Sequence, residues 1–117
     1  MTVQRIVPNV PVAEPRAGDG FYRGFLGLEP AFDLGWIVSY RSPWHPAVQV
    51  SLVSSDATAP VDSALSVGVL DVDQLHVEAL RRGYEIVHPL TDEPWGVRRF
   101  FVRDPQGTVV NLVAHLH

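Results

Sequence analysis

Apolar and polar positions alternate along most of the chain, and the alternation predicts strands. The runs are Thr2–Val10, Glu29–Leu34, Trp36–Arg41, Ala47–Ser54, Ala64–Val69, Tyr84–Val87, Val97–Arg103 and Thr108–Leu116. Two stretches follow a helical period instead. Glu14-Pro15 opens the first, with proline at the first helical position, where its missing N–H costs nothing. Ala17, Phe21 and Phe25 form its apolar stripe and Gly27 its stop. Asp71, with Gln74 three residues on, caps the second; Val72, Leu75, Ala79 and Leu80 are its predicted buried stripe and Gly83 its end. Pro8 and Pro11 predict an edge position or a short pairing for the first strand. The polar, Ala- and Pro-containing stretch Ser55–Asp62 reads as a linker.

The order of elements on one side of that linker is repeated on the other. From Glu14 to Asp71 is 57 residues, from Gly27 to Gly83 is 56, and from Leu52 to Leu112 is 60. The chain therefore reads as one α+β domain over residues 1–117, built of two βαβββ modules, 1–57 and 62–117. A repeat within so small a domain implies pseudo-symmetry and a cavity at its axis.

Strand alternation sorts the faces. Val48, Val50 and Leu52 oppose Gln49 and Ser51; Leu65, Val67 and Val69 oppose Ala64, Ser66 and Gly68. Val110, Leu112 and Ala114 oppose Asn111, Val113 and His115. The aliphatic faces predict helix cover; the small or polar faces predict either a ligand cup or a half-solvated sheet face. In the first strand Arg5, Val7 and Asn9 oppose Ile6, Pro8 and Val10. Trp36, Val38 and Tyr40 share a face in the third, as core or as ligand platform. Alternation does not decide which residues of Val97–Arg103 face the cup, and Arg98 and Arg99 must point oppositely, so at most one reaches an anion there.

The last quarter carries the most specific pattern. Pro94-Trp-Gly, an aromatic strand, the turn Asp104-Pro-Gln-Gly107 and an apolar strand interrupted by Asn111 make a hairpin. This composite resembles the closing hairpin of the vicinal oxygen chelate superfamily, which includes glyoxalase I, extradiol dioxygenases, fosfomycin-resistance enzymes and bleomycin-resistance proteins. Phe21-Tyr-Arg-Gly-Phe-Leu-Gly-Leu28 looks like the family's first helix ending, and Val69-Leu-Asp-Val-Asp-Gln-Leu75 like its second helix entry. The resemblance implies a cup-shaped mixed sheet and a homodimer with cups completed across the interface. In its catalytic members it also implies one divalent metal held by His and Glu. Those positions correspond here to Val7, Ala64, Ser51 and Asn111, two of which cannot ligate while two are weak neutral donors. No metal and no cofactor are expected.

Net charge is −4 and the basic residues are scattered, so no nucleic-acid footprint is expected. Cysteine is absent, which removes disulfides and thiolate chemistry and fits a reducing compartment. Met1-Thr-Val-Gln-Arg lacks an apolar signal core, and no run of about 18 apolar residues occurs. A cytoplasmic protein with no membrane partner is the expectation. No Gly-x-Ser-x-Gly elbow or phosphate-loop glycine motif occurs. Of the five histidines, His76 is expected on the solvent side of its helix, His45 and His88 in or beside loops, and His115 and His117 on one face of a fraying terminus.

By elimination the chain reads as a metal-free binder, and the resemblance implies the bleomycin-resistance type, whose members sequester a flat, partly apolar drug. A small, planar, partly apolar antibiotic or metabolite is therefore the expected ligand, with Asn9, Gln49, Ser51, Asn111, Arg98 and His115 as its expected contacts. Trp36, Tyr40 and Phe101 are the expected stacking surfaces. Two rivals remain at this stage. One is a glyoxalase-like lyase or isomerase, or a dioxygenase-related enzyme, including a metal-independent one using Arg98 or His115 as acid or base. The other is a structural module whose cup is filled by side chains.

Overall fold

The computed structural model describes residues 3–116; Thr2 and His117, assigned above to the first strand and the terminal histidine pair, lie outside them. The strands are β1 Val3–Pro11, β2 Glu29–Asp33, β3 Ile37–Arg41, β4 Gln49–Val53, β5 Leu65–Val69, β6 Ile86–Glu93, β7 Val97–Arg103 and β8 Val109–His115. They form a single eight-stranded mixed sheet in the order β2-β3-β4-β1-β5-β8-β7-β6. One βαβββ module supplies each half, and the modules meet where β1 runs antiparallel to β5.

β1 is therefore central, not at an edge as its prolines suggested. The strand divides its pairing: Val3–Pro8 bond to β5, and Asn9–Pro11 lie parallel to β4. Each proline then needs only one hydrogen-bonding neighbour, so the expectation of short pairing holds while the edge position does not. β6 extends well past the predicted Tyr84–Val87. It is the sheet's edge strand, and its ladder with β7 shifts register between His88 and Thr91, where Pro89 can lack a donor without breaking a ladder.

The first helical segment is a 3₁₀ turn, Pro15–Gly18, followed by a π-helical turn, Gly20–Phe25. The predicted stripe of Ala17, Phe21 and Phe25 faces outward, Phe25 being 75% exposed. Contact with the sheet decides the orientation. A Cβ on Gly18 would lie 2.5 Å from Leu52 Cδ1, so only glycine lets the backbone lie this close to β4. Tyr22 then stacks on Tyr40 at 5.7 Å and turns its neighbours outward.

The second helix, α1, spans Val72–Arg81, and the Asp71 carboxylate accepts the Gln74 N–H at 3.0 Å. Val72, Leu75 and Ala79 pack inward, but Leu80 is 57% exposed. His76, expected in solvent, is half-buried with its ring 4.9 Å from Phe100. The stops Gly27 and Gly83 have φ of +75° and +74°, a left-handed conformation open to glycine at no steric cost.

The aliphatic faces are covered by the helices as predicted. Leu65, Val67, Val69, Val110, Leu112 and Phe100 pack under α1; Val50, Leu52, Val38 and Tyr40 pack under the first helical segment. Val48 is the exception, 60% exposed and outside β4. The opposite, concave face is left to the cup. Among the described residues no helix is long and apolar enough to cross a membrane.

Candidate functional site

The concave face encloses a cavity of about 320 Å³. Residues of both modules of one chain line it. Its floor is the seam of the pseudo-symmetry. Asn9 faces Ser51 in the β1–β4 register and Ser66 faces Asn111 in the β5–β8 register. Asn9 Nδ2 donates to Ser63 Oγ at 3.0 Å and to Ser66 Oγ at 3.1 Å; Asn111 Nδ2 donates to Ser66 Oγ at 3.0 Å. Ser51 is tied to Ser39 across β3 and β4 by a short hydroxyl–hydroxyl bond.

Both amide oxygens, Asn9 Oδ1 and Asn111 Oδ1, are buried with no hydrogen-bond partner among the described residues. A hydroxyl has one proton and cannot donate to two carbonyls, so at least one amide must turn its NH₂ to Ser66 and leave its oxygen unpaired there. An orphaned buried acceptor costs about 1–3 kcal/mol. Alternation made these positions legible in the sequence. Ser66 lay on a face recognised as small but was not singled out.

Trp36 and Trp95 also line the cavity, edge to face with ring centroids 5.3 Å apart. Trp36 belongs to the bend before β3 and escapes the strand's alternation. Within β3 itself Ile37 and Ser39 face the cup, so Tyr40, expected there, is carried to the other face. It is buried, its hydroxyl donates to Asp19 Oδ1 at 3.0 Å, and burial together with Asp19 raises its pKa. Trp95 is part of the Pro-Trp-Gly signal, which gives its indole no face, so it is absent from the expected contacts.

β7 places Val97 and Arg99 on the cup and Arg98 on the reverse. Arg98, an expected contact, pairs with Asp73 of α1 and Asp92 of β6, both at 2.8 Å, so it cannot serve the cup as an anion seat, acid or base. Phe101 has the cup-side parity but is fully buried: Arg99 stacks over it at 4.8 Å and His88 abuts it at 5.3 Å, so it lies behind the wall and does not line the cavity. Gln49 and His115 do line it. Gln49 donates to the Pro46 carbonyl at 2.8 Å, and His115 Nε2 lies 3.1 Å from Arg5 Nη2.

Arg99 is the centre of a buried ionic network. Its Nε donates to Glu93 Oε2 at 2.6 Å, and its two terminal nitrogens grip Asp56 in a bidentate pair at 2.8 Å. Thr58 bonds both Arg99 and Glu93, His88 reaches Glu93 at 3.2 Å, and Trp95 lies under the guanidinium at 5.0 Å. Burial penalises the charge on Asp56, yet the Arg99 bonds and the Thr58 and Ala59 N–H groups hold its carboxyl below the ordinary range. Glu93 is likewise held low against its burial, by Thr58 and Arg99. His88, expected in or beside a loop, is thus a buried residue of β6. Asp56 and Thr58 belong to the stretch read as a linker; no local pattern marked them, because their role is set by a β7 side chain more than 40 residues away.

The residues do not fit a divalent metal. Val7 and Ala64 carry no donor atom, Ser51 is engaged by Ser39, and Asn111 offers one neutral oxygen. Asp56 and Glu93 converge, but on a guanidinium that occupies their lone pairs. Among the described residues no three His, Cys, Asp or Glu side chains are grouped to hold a metal ion.

Comparison with known proteins agrees with this architecture. Residues 4–112 match the model of the Glyoxalase/Bleomycin resistance protein/Dioxygenase superfamily. No curated protein matches the sequence. Among solved structures, a superfamily member from Vibrio splendidus aligns with TM-score 0.68 at 19% identity, over 97% of this chain and 99% of that one. A structure described as an NAD-dependent benzaldehyde dehydrogenase from Legionella pneumophila aligns with TM-score 0.74 at 18% identity, over 94% and 98%. The Mn(II)-bound glyoxalase of Novosphingobium aromaticivorans aligns with TM-score 0.61 at 18% identity, over 96% of this chain but only 38% of that longer one. At these identities the likeness is one of fold.

Proposed function

The chain belongs to the Glyoxalase/Bleomycin resistance protein/Dioxygenase superfamily, and from that premise we propose that it binds a small, planar, partly apolar molecule, an antibiotic or metabolite, without a metal and without transforming it. The observation that carries the reading is the cup floor. Asn9 and Asn111 keep unpaired amide oxygens in a cavity where a plain core would be aliphatic. A ligand N–H or O–H, or an ordered water, removes that cost. Of the two residues named for a metal-independent acid or base, Arg98 is on the reverse face, paired with Asp73 and Asp92, whereas His115 lines the cavity beside Arg5, so product analysis decides whether turnover occurs. A homodimer and a cytoplasmic setting belong to the same proposal, the first resting on the family and the second on the lack of cysteine.

Tryptophan fluorescence and thermal shift across a panel of aromatic drugs and metabolites test the reading, since Trp36 and Trp95 line the cavity. Quenching with a rise in melting temperature, and unchanged ligand recovered after long incubation, is the expected result. Turnover of a methylglyoxal–thiol adduct, or a panel with no binder at all, overturns it.

A further inference from the structure

We propose that the cup takes an aromatic acid, its carboxylate seated on Arg5 and its ring against Trp36 and Trp95. The proposal rests on the small-molecule reading above and adds the ligand's charge. Arg5 lies on the cup face of β1, in register with Gly68 of β5. A Cβ on Gly68 would sit 2.5 Å from Arg5 Nη1, 2.6 Å from Cζ and 2.8 Å from Cγ. Stem and guanidinium therefore lie flat across the glycine, in a seat that any side chain at residue 68 would fill.

Arg5 differs from most of the other arginines in having no counter-ion among the described residues. Arg16, Arg41, Arg81, Arg82, Arg98, Arg99 and Arg103 each have a carboxylate within 4 Å. Among the described residues Arg5 has none, and the hydrogen bond it makes goes to an imidazole nitrogen, His115 Nε2. Arg23 also has no carboxylate partner there, but it is solvent-exposed, whereas Arg5 is half-buried in the cavity. Burial with nothing to oppose it lowers the Arg5 pKa, in agreement with an uncompensated cation.

Taking a cation partly out of water without a counter-ion is unfavourable, and an incoming anion relieves it. The planar fork of N–H donors matches a carboxylate bidentately. Arg99 cannot take this role, because Asp56 and Glu93 already hold it. The paired indoles supply the apolar wall, so charge and ring are recognised in one cavity of about 320 Å³, a volume in the range of small-molecule sites.

The test compares 2-naphthoate with its neutral isostere 2-naphthamide by titration calorimetry on the full chain. The acid should bind about tenfold tighter or more at low salt, and the preference should shrink as salt is raised. Arg5→Gln should abolish the preference, weakening naphthoate far more than naphthamide, in a variant whose cooperative melting shows that it is folded. Arg5→Lys should restore part of it. Gly68→Ala keeps the charge but fills the seat, and should abolish the preference as well. If naphthamide binds as tightly as naphthoate, or the preference survives Arg5→Gln, the aromatic-acid inference is overturned while small-molecule binding stands. If neither compound binds the folded wild type while the wider panel yields a binder, the aromatic-acid inference alone falls; if nothing in the panel binds either, both fall.

Discussion

Arg99 shows how much one side chain can organise. It is 4% exposed at its side chain, between two buried carboxylates. Removing one partner of such a cluster strands the others, which costs about 3–5 kcal/mol. Arg99→Met should therefore lower the unfolding free energy by roughly that amount in urea titration; a loss below about 1 kcal/mol would mean the network is worth no more than a surface pair. The same network sets acid lability. Asp56 and Glu93 titrate lower in the folded chain than in the unfolded one. Their contribution is thus complete above the unfolded values near pH 4 and is lost as pH falls through the folded ones. Thermal melts between pH 7 and pH 3 should show a steep acid limb, flattened in Asp56→Asn.

At the scale of elements, close approach decided what periodicity could not. The first helical segment has an apolar stripe by spacing, yet it rests on Gly18 and Tyr22. Gly18→Ala should force a clash with Leu52 Cδ1 and cost about 1–3 kcal/mol, as overpacking does, whereas Phe25→Ser should change stability little. β8 behaves as alternation predicts. Leu112 packs under α1 but is only half-buried, so Leu112→Ala should cost about 2 kcal/mol, the lower end for a large-to-small change; near-zero cost in chemical denaturation would place it in solvent.

For the whole molecule, the cup is shared by two modules that meet along β1 and β5. Ligand binding should therefore be lost on separating the modules. The proposed homodimer is checked by sedimentation at micromolar concentration, where a mass near that of one chain removes it. Protein dialysed without chelator should carry no stoichiometric Zn, Fe, Mn or Ni by elemental analysis; near-unit occupancy would reopen the enzyme reading.

The sequence by itself determined the repeat, the α+β class, the strand order along the chain and which faces of β4, β5 and β8 are aliphatic. Those features are local or periodic: alternation at two residues, an Asp71 cap, glycine stops, an Asp-Pro-x-Gly turn. It also placed Asn9, Ser51 and Asn111 on the cup. Tertiary structure alone decided that β1 is central, because sheet order depends on partners remote in sequence. It turned Tyr40 into the core and let Trp36 into the cup, since strand onset at Ile37 sets which residues obey alternation. It exchanged Arg98 for Arg99, because adjacent strand positions face opposite ways and only contacts with α1 and the 54–64 stretch show which way is which. Arg5 likewise became a distinct site only once Gly68 lay beneath it and no carboxylate among the described residues was found within ion-pair reach.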